Sequence, residues 1–376
     1  MEELKLTSKK DILDDYKKVI ESGIPHTLVR SAGSTGKAMY IPINDADLKV
    51  IMKVGARCWI NAGVKPGMRV INTLNSSLYG GGILDSLSLY EAGASVYNFS
   101  VGNRKELIQV ILDLKVEALS CTPSYLDKIE ESLKNDYGMY PEQLGLKLIL
   151  LGGEAGCQNP TFRNNMENKW KAQVIDANYG DVSVCSMYAS ENYLQQKGLI
   201  FQGFGYIRPS LLIDGKLQPI TKGLQGELVV DTLWEGGLIK RTKYRTGDII
   251  EILSDVNLSG QFRFAVKGRA DEMLVIKGLN VYPDTIFQVV EKAKMEFGVD
   301  FYAQVRVSKE DPIEKLELWC QTSDIVNSSK VITQEIQQYL AEEIKKATTI
   351  SCKVIIKESF NLLSTNGKIK KVVRSL

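Results

Sequence analysis

At 376 residues the chain exceeds one ordinary core, and its length predicts two domains or one large domain with a smaller appendage. Its 47 basic side chains nearly balance 45 acidic ones. The resulting net charge of +2 offers neither the basic face that nucleic acid requires nor a polybasic membrane anchor, so a small-molecule partner is expected. The segment MEELKLTSKKDILDDYKK is charged throughout, and no run elsewhere is long and apolar enough to span a bilayer, so a cytoplasmic protein is expected.

From about residue 45 to 180, apolar runs that read as strands (RVINTL, SVYNFS, ALSCTP, LILLGG, QVIDANYG) alternate with amphipathic runs that read as helices (GGILDSLSLYEAG, RKELIQVILDLK, PSYLDKIEESLKN, NPTFRNNMENKW). This alternation predicts an α/β fold with a parallel sheet, which binds ligands beyond the carboxyl ends of its strands. From Gly198 to about Val266, short strands with Gly and Asp turns predict an antiparallel, barrel-like β subdomain. From Met273 onward the chain reads as a small α+β module. Ile286, Val289, Val290 and Ala293 share one helical face, and Ile332, Ile336, Leu340 and Ile344 share another. The expected division is residues 1–268, a hinge at 269–271, and a small C-terminal domain at 272–376.

Six cysteines, Cys58, Cys121, Cys157, Cys185, Cys320 and Cys352, stand far apart without metal-ligand pairing, and read as buried small hydrophobes. The single histidine, His26, follows Pro25 and reads as a linker residue. It leaves little scope for mechanisms built on several imidazoles.

Four segments carry the chemistry: SAGSTGK at Ser31 to Lys37, YRTGD ending at Asp248, GRADEM from Gly268, and NGKIKK around Lys368. In the first, two glycines allow a tight turn of inward N–H groups, while hydroxyls and one cation face phosphate oxygens. The spacing is neither that of GxxxxGK[ST] nor of GxGxxG. As bare segments, the first reads more readily as a flexible surface turn and the last as a solvated basic tail.

In this order the four segments resemble the adenylate-forming superfamily of acyl-CoA synthetases and adenylation domains. YGGGILDSLSLYEAG, NFSVGNRKELIQVILDLK and LSCTPSYLDKI make the chain similar to its phenylacetate-CoA ligase branch, collinearly from about Leu28 to Arg374. The resemblance implies an enzyme that uses ATP and Mg²⁺ to adenylate a small carboxylic acid, aryl or arylacetic at family level. The acyl group then passes to a thiol, either CoA or the phosphopantetheine of a carrier protein. It further implies that Ser31, Gly33, Ser34, Thr35, Gly36 and Lys37 hold the β- and γ-phosphates, and that Gly153, Glu154 and Ala155 line the adenine pocket. Asn178, Tyr179 and Gly180 meet the purine, Asp248 the ribose, and Arg269 the α-phosphate region. Asp271 is the hinge on which the C-terminal domain swings, and Lys368 is the catalytic cation. Tyr79, Gly81 and Tyr125 fall where the acid pocket is expected.

Where the family continues as YGxTE or YGxSE, this chain reads Tyr179, Gly180, Asp181, Val182, Ser183, so the usual hydroxyl and acid are displaced. An extended segment would put Asp181 and Ser183 on one side and make Asp181 a candidate Mg²⁺ ligand. No ECE…CPCG pattern is present, so no zinc is expected. Two other readings stay open: adenylation coupled to amide formation, and a binder of nucleotide or acyl ligand without turnover.

Overall fold

The computed structural model describes residues 5–8, 11–24, 26–30, 39–153, 160–194, 197–270, 274–276, 279–310, 313–321, 330–348, 350–357, 364–365, 368–369 and 372–374. They divide into two compact units. One is Met1–Thr246 with Ile250–Ala265, the other Gly247–Ile249 with Val266–Leu376. Among the described residues no helix is long and apolar enough to cross a membrane.

The first unit opens with helix α1 (Leu13–Glu21) and the antiparallel pair β1 (Thr27–Arg30) and β2 (Tyr40–Ile43), in register from Thr27↔Ile43 to Arg30↔Tyr40. Helix α2 (Asp45–Asn61) starts at a capping box, in which Asn44 accepts from the Asp47 N–H and Asp47 accepts from the Asn44 N–H. Then come β3 (Arg69–Asn72), α3 (Gly80–Glu91), β4 (Ser95–Asn98), α4 (Arg104–Asp113), β5 (Ala118–Cys121), α5 (Pro123–Ser132), β6 (Leu148–Gly152), α6 (Pro160–Trp170) and β7 (Gln173–Asp181). β3 to β7 are the five strands read from the sequence, and they pair in parallel in the order β4-β3-β5-β6-β7.

Period-two alternation sorts the strand side chains onto two faces. Ile71, Leu119, Ile149, Leu151 and Val174 join Leu107, Ile111, Leu126, Ile129 and Trp170 from α4, α5 and α6. Val70, Ala118, Leu148, Leu150 and Ile175 join Trp59 of α2 and Leu89 of α3 on the other face. Each fully buried Leu or Ile contributes about 1.5–3 kcal/mol. With both faces covered by helices, the strands read as unbroken apolar runs.

The chain then turns antiparallel through β8 (Cys185–Glu191), β9 (Leu199–Phe201), β10 (Ile207–Ile213), β11 (Lys216–Gln218), β12 (Gln225–Thr232), β13 (Tyr244–Ile252) and β14 (Arg263–Arg269). These strands continue the parallel ones edge to edge as one 12-stranded mixed sheet, β11-β10-β12-β13-β14-β9-β8-β7-β6-β5-β3-β4.

In the second unit β15 (Leu274–Ile276) pairs with β16 (Leu279–Val281). They are followed by α7 (Pro283–Phe297), β17 (Tyr302–Glu310), β18 (Ile313–Gln321), α8 (Lys330–Thr348), β19 (Cys352–Lys357), β20 (Ser364–Thr365), β21 (Lys368–Ile369) and β22 (Val372–Arg374). A four-stranded sheet, β19-β18-β17-β22, packs Val305, Leu316 and Leu318 against the expected faces of α7 (Ile286, Val290, Ala293) and α8 (Ile336, Leu340, Ile344). The molecule is thus a mixed α/β protein with a large mixed sheet and a small C-terminal α/β unit.

Five of the cysteines, Cys58, Cys121, Cys185, Cys320 and Cys352, are buried free thiols. Burial pushes Cys185 and Cys352 up to about 12, which suppresses the reactive thiolate.

Candidate active site

Order reversal between β3 and β5 makes a topological switch point, and the loops after β3, β5, β6 and β7 all leave from the carboxyl edge of the sheet. Ser31, Gly33, Ser34, Thr35, Gly36 and Lys37 lie outside the described residues, but the strands on either side of them are in register at Arg30↔Tyr40. Arg30 fixes this stem beside the start of α3. Its N–H donates to the Leu78 carbonyl at 2.7 Å, and Nη2 donates to the Tyr79 hydroxyl at 2.7 Å.

Gly153 closes β6 at an exposed position, while Glu154 and Ala155 lie outside the described residues. Beside it, Tyr179 is half-buried near the end of β7, held edge-on by the rings of Tyr188 at 5.5 Å and Phe264 at 5.2 Å. Gly180 follows, and an added Cβ there would lie 2.4 Å from the Ser186 carbonyl oxygen, so the β7–β8 hairpin closes only on glycine. Asn178, on the opposite side of β7 from Tyr179, donates its amide Nδ2 to Asp85 Oδ2 of α3.

Past Asp181 the segment is not extended. Residues 182–184 turn, with the Val184 N–H on the Asp181 carbonyl at 2.7 Å, because the β7–β8 hairpin reverses here. The turn itself brings the two side chains together. Asp181 Oδ1 accepts from Ser183 N at 2.9 Å and Ser183 Oγ at 2.5 Å. Tyr244 Oη lies 3.1 Å from Asp181 Oδ2 and 2.8 Å from Ser183 Oγ, so its single proton is shared between them. Burial and the Asp181 charge push the Tyr244 phenol up, which keeps it a donor.

Beneath the turn lies a buried cation. Arg241 Nε donates to the Ser183 carbonyl at 2.8 Å, and its guanidinium sits 5.0 Å from the ring centre of Tyr16 in α1. The N-terminal segment is clipped alongside by Thr7, whose N–H donates to the Lys243 carbonyl and whose carbonyl accepts from Arg245 N. Asp181 is half-buried, and a carboxylate oxygen has room for about two acceptor contacts. Among the described residues only the shared Tyr244 proton meets Oδ2, which leaves capacity for one hard cation and suits Mg²⁺ held by one carboxylate plus phosphate oxygens.

In the second unit, Arg269 Nη1 meets Asp248 Oδ1 at 2.8 Å. Their motifs stand apart in the sequence, and adjacent strands bring them together. Gly247 has φ +80°, and a Cβ there would lie 2.5 Å from Arg269 Nη2, so glycine gives the guanidinium its seat. The Ala270 N–H donates to the Gly247 carbonyl at 2.7 Å, and this contact with the ion pair explains why Asp248, expected with the larger domain, groups with the smaller unit. Lys368 lies on β21, opposite Thr365 of β20 in a short hairpin. Asp271 lies outside the described residues.

Of the three expected acid-pocket residues, Tyr79 contacts Arg30 and Gly81 lies beside Asp85. The ring of Tyr125 packs against the core under α4, α5 and α6, where burial raises its phenol. Sequence reasoning missed Asp85, Arg241 and Tyr244. For Asp85 a signal was present: one acid in the otherwise apolar run of GGILDSLSLYE.

Comparison with known proteins bears on the same site. Residues 278–375 match the family described as AMP-binding enzyme C-terminal domain. A phenylacetate-coenzyme A ligase of Thermus thermophilus is 25% identical over 387 aligned residues, covering 98% of this chain and 85% of that protein. One from Escherichia coli K12 is 25% identical over 375, covering 97% and 83%. Among solved structures, a 2-hydroxyisobutyryl-CoA ligase in the postadenylation state, in complex with 2-HIB-AMP, superposes with a TM-score of 0.78 at 18% identity. The match covers 99% of this chain and 80% of that one. At that identity the likeness is one of fold.

Proposed function

The chain belongs to the adenylate-forming, AMP-binding superfamily, and we propose that it is an ATP-dependent acid–thiol ligase acting on a small aryl or arylacetic acid. The observation that carries this reading is the grouping of Gly153, Tyr179 and Asp181 at the carboxyl ends of β6 and β7, where a parallel sheet receives its ligand. In the first half-reaction a carboxylate oxygen of the acid attacks the α-phosphorus of ATP, and the bond to pyrophosphate breaks. In the second, a thiol attacks the acyl carbon and AMP leaves. The relatives described above are coenzyme A ligases, which favours CoA over a carrier protein's phosphopantetheine as the acceptor.

Each residue of the site has a task in this reading. Residues Ser31 to Lys37 cradle the β- and γ-phosphates, Gly153 to Ala155 border the adenine, and Tyr179 stacks on it with a ring already braced by Tyr188 and Phe264. Asp181 would hold the Mg²⁺ that accompanies ATP, whose charge would offset that of the phosphates. Asp248 accepts from the ribose hydroxyls while Arg269 steadies its carboxylate and reaches toward the α-phosphate. Asp271 is the hinge between the half-reactions, and Lys368 supplies the mobile cation.

The test is pyrophosphate release with ATP, Mg²⁺ and a panel of aryl, arylacetic, amino and short aliphatic acids, each product trapped with hydroxylamine. Release with one subset of acids is the expected result, and silence across the panel overturns the reading. The ribose assignment has its own test. Asp248→Asn is expected to raise the KM for ATP about 10- to 100-fold, the worth of a charge-assisted hydrogen bond, and to erase most of the preference for ATP over 2′-deoxy-ATP. An unchanged ATP dependence removes Asp248 from the ribose.

A further inference from the structure

Asp85 is an acid that the reaction above does not use. It lies within α3, fully buried at 0% exposure, on the side that faces the end of β7. A bare carboxyl in such a place is costly unless it is hydrogen-bonded, and here only one of its oxygens is. Oδ2 accepts from the Asn178 amide, whereas Oδ1 has no partner of good geometry. Ser186, half-buried with its Oγ shielded from solvent, lies close enough to act on the acid. Burial holds the Asp85 carboxyl well above its ordinary range, and a neutral acid still keeps the carbonyl acceptor that the Asn178 amide requires.

The consequence falls on Asn178. With Nδ2 committed to Asp85, its carbonyl Oδ1 is the end left over, and that oxygen takes no hydrogen bond from any described residue. Asn178 is half-buried, so this acceptor lies at the margin of the core. Asp85 Oδ2 also lies within 3.5 Å of where a side chain on Gly81 would begin, next to the residues expected to wall the acid pocket. A fixed acceptor without a protein donor favours a neighbouring ligand that brings the donor, and disfavours one that leaves it dry.

We propose that Asp85 is a positioning residue that turns the Asn178 carbonyl toward the acid rather than toward the purine that the resemblance assigned to it, and that the pair selects carboxylic acids carrying a hydrogen-bond donor, either a hydroxyl or an amino group. This inference rests on the acid–thiol ligase reading and sharpens its substrate class.

The test compares kcat/KM for arylacetic acids with their ring-hydroxylated and amino-substituted counterparts in wild type, Asp85→Asn, Asp85→Leu and Asn178→Leu. Wild type is expected to favour one donor-bearing series by at least about 10-fold, and the preferred series identifies the donor. Asp85→Asn, which keeps an acceptor for Nδ2, is expected to hold that ratio within about threefold. Asp85→Leu and Asn178→Leu are expected to bring it close to one, a change in selectivity that general loosening of the fold does not produce. If Asp85→Leu does not fold, as judged by thermal melting, Asn178→Leu at its half-buried position carries the comparison. Turnover without donor preference in wild type, or a ratio unmoved in the leucine variants, overturns the inference and leaves the ligase reading standing. No turnover with any acid overturns both.

Discussion

Lys368→Ala is expected to lower acyl-adenylate formation about 100- to 1,000-fold, while thioester formation from supplied acyl-adenylate stays within a few-fold of wild type. The first half-reaction gathers negative charge on the α-phosphate and on the departing pyrophosphate, and a cation placed there stabilises the transition state more than the ground state. Lysine suits the task because its ammonium is a compact point charge on a flexible stem. It sits on a strand of only two residues, β21, in a hairpin with β20, a light mounting for a group that approaches and withdraws in the proposed reaction. Arginine, with a planar fork in place of a point charge, is expected to restore little. The checks are pyrophosphate release for the first step and CoA thioester yield from synthetic acyl-adenylate for the second, with thermal melting to show that the variant is folded. Equal pyrophosphate release by wild type and Lys368→Ala removes Lys368 from the chemistry.

The sheet was legible because burial on both faces leaves a strong mark. Runs such as LILLGG are too short for a helix of their own, end in glycine, and alternate with amphipathic segments, and they became β6 and its parallel neighbours. The two helices of the small unit were legible for the complementary reason, since each has one apolar stripe and one solvated face. Strand β13 was harder to see. YRTGDIIEI begins with charges and a glycine of positive φ, so the sequence shows a motif where the backbone is also a strand.

Contacts within the site were legible only where neighbours in sequence are neighbours in space. The Asp248–Arg269 pair depends on two strands lying side by side, and the Asp85–Asn178 pair joins a helix to a strand more than ninety residues later. No periodicity encodes either. Asp181 shows the opposite case: both partners were visible two residues apart, but the backbone that joins them is a turn rather than an extended run. In GDVS the glycine and aspartate are turn formers, and Asp181 accepting from the Ser183 N–H is the local bond that makes such turns.

That turn leads to the second large effect. Asp181→Asn is expected to reduce kcat/KM for MgATP about 100-fold and to raise the Mg²⁺ concentration needed for half-maximal rate, because an amide keeps the size of the carboxylate and loses its charge. Asp181 has two separable tasks. Oδ1 fixes the turn through Ser183, and Oδ2, which accepts from Tyr244, would face the metal in the proposed reaction. Ser183→Ala and Tyr244→Phe each remove one hydrogen bond to the Asp181 carboxylate together with the contact between the two hydroxyls, and leave the carboxylate in place, with Arg241 still holding the Ser183 carbonyl from below. Each is therefore expected to cost about 10-fold or less, with little change in Mg²⁺ dependence. The measurement is initial pyrophosphate release across a Mg²⁺ titration for the three variants. If all three fall equally, Asp181 acts only by shaping the turn. If Asp181→Asn alone shifts the Mg²⁺ requirement, the displaced acid of this chain has taken over the work of the absent glutamate, and the serine at position 183 serves to hold it there.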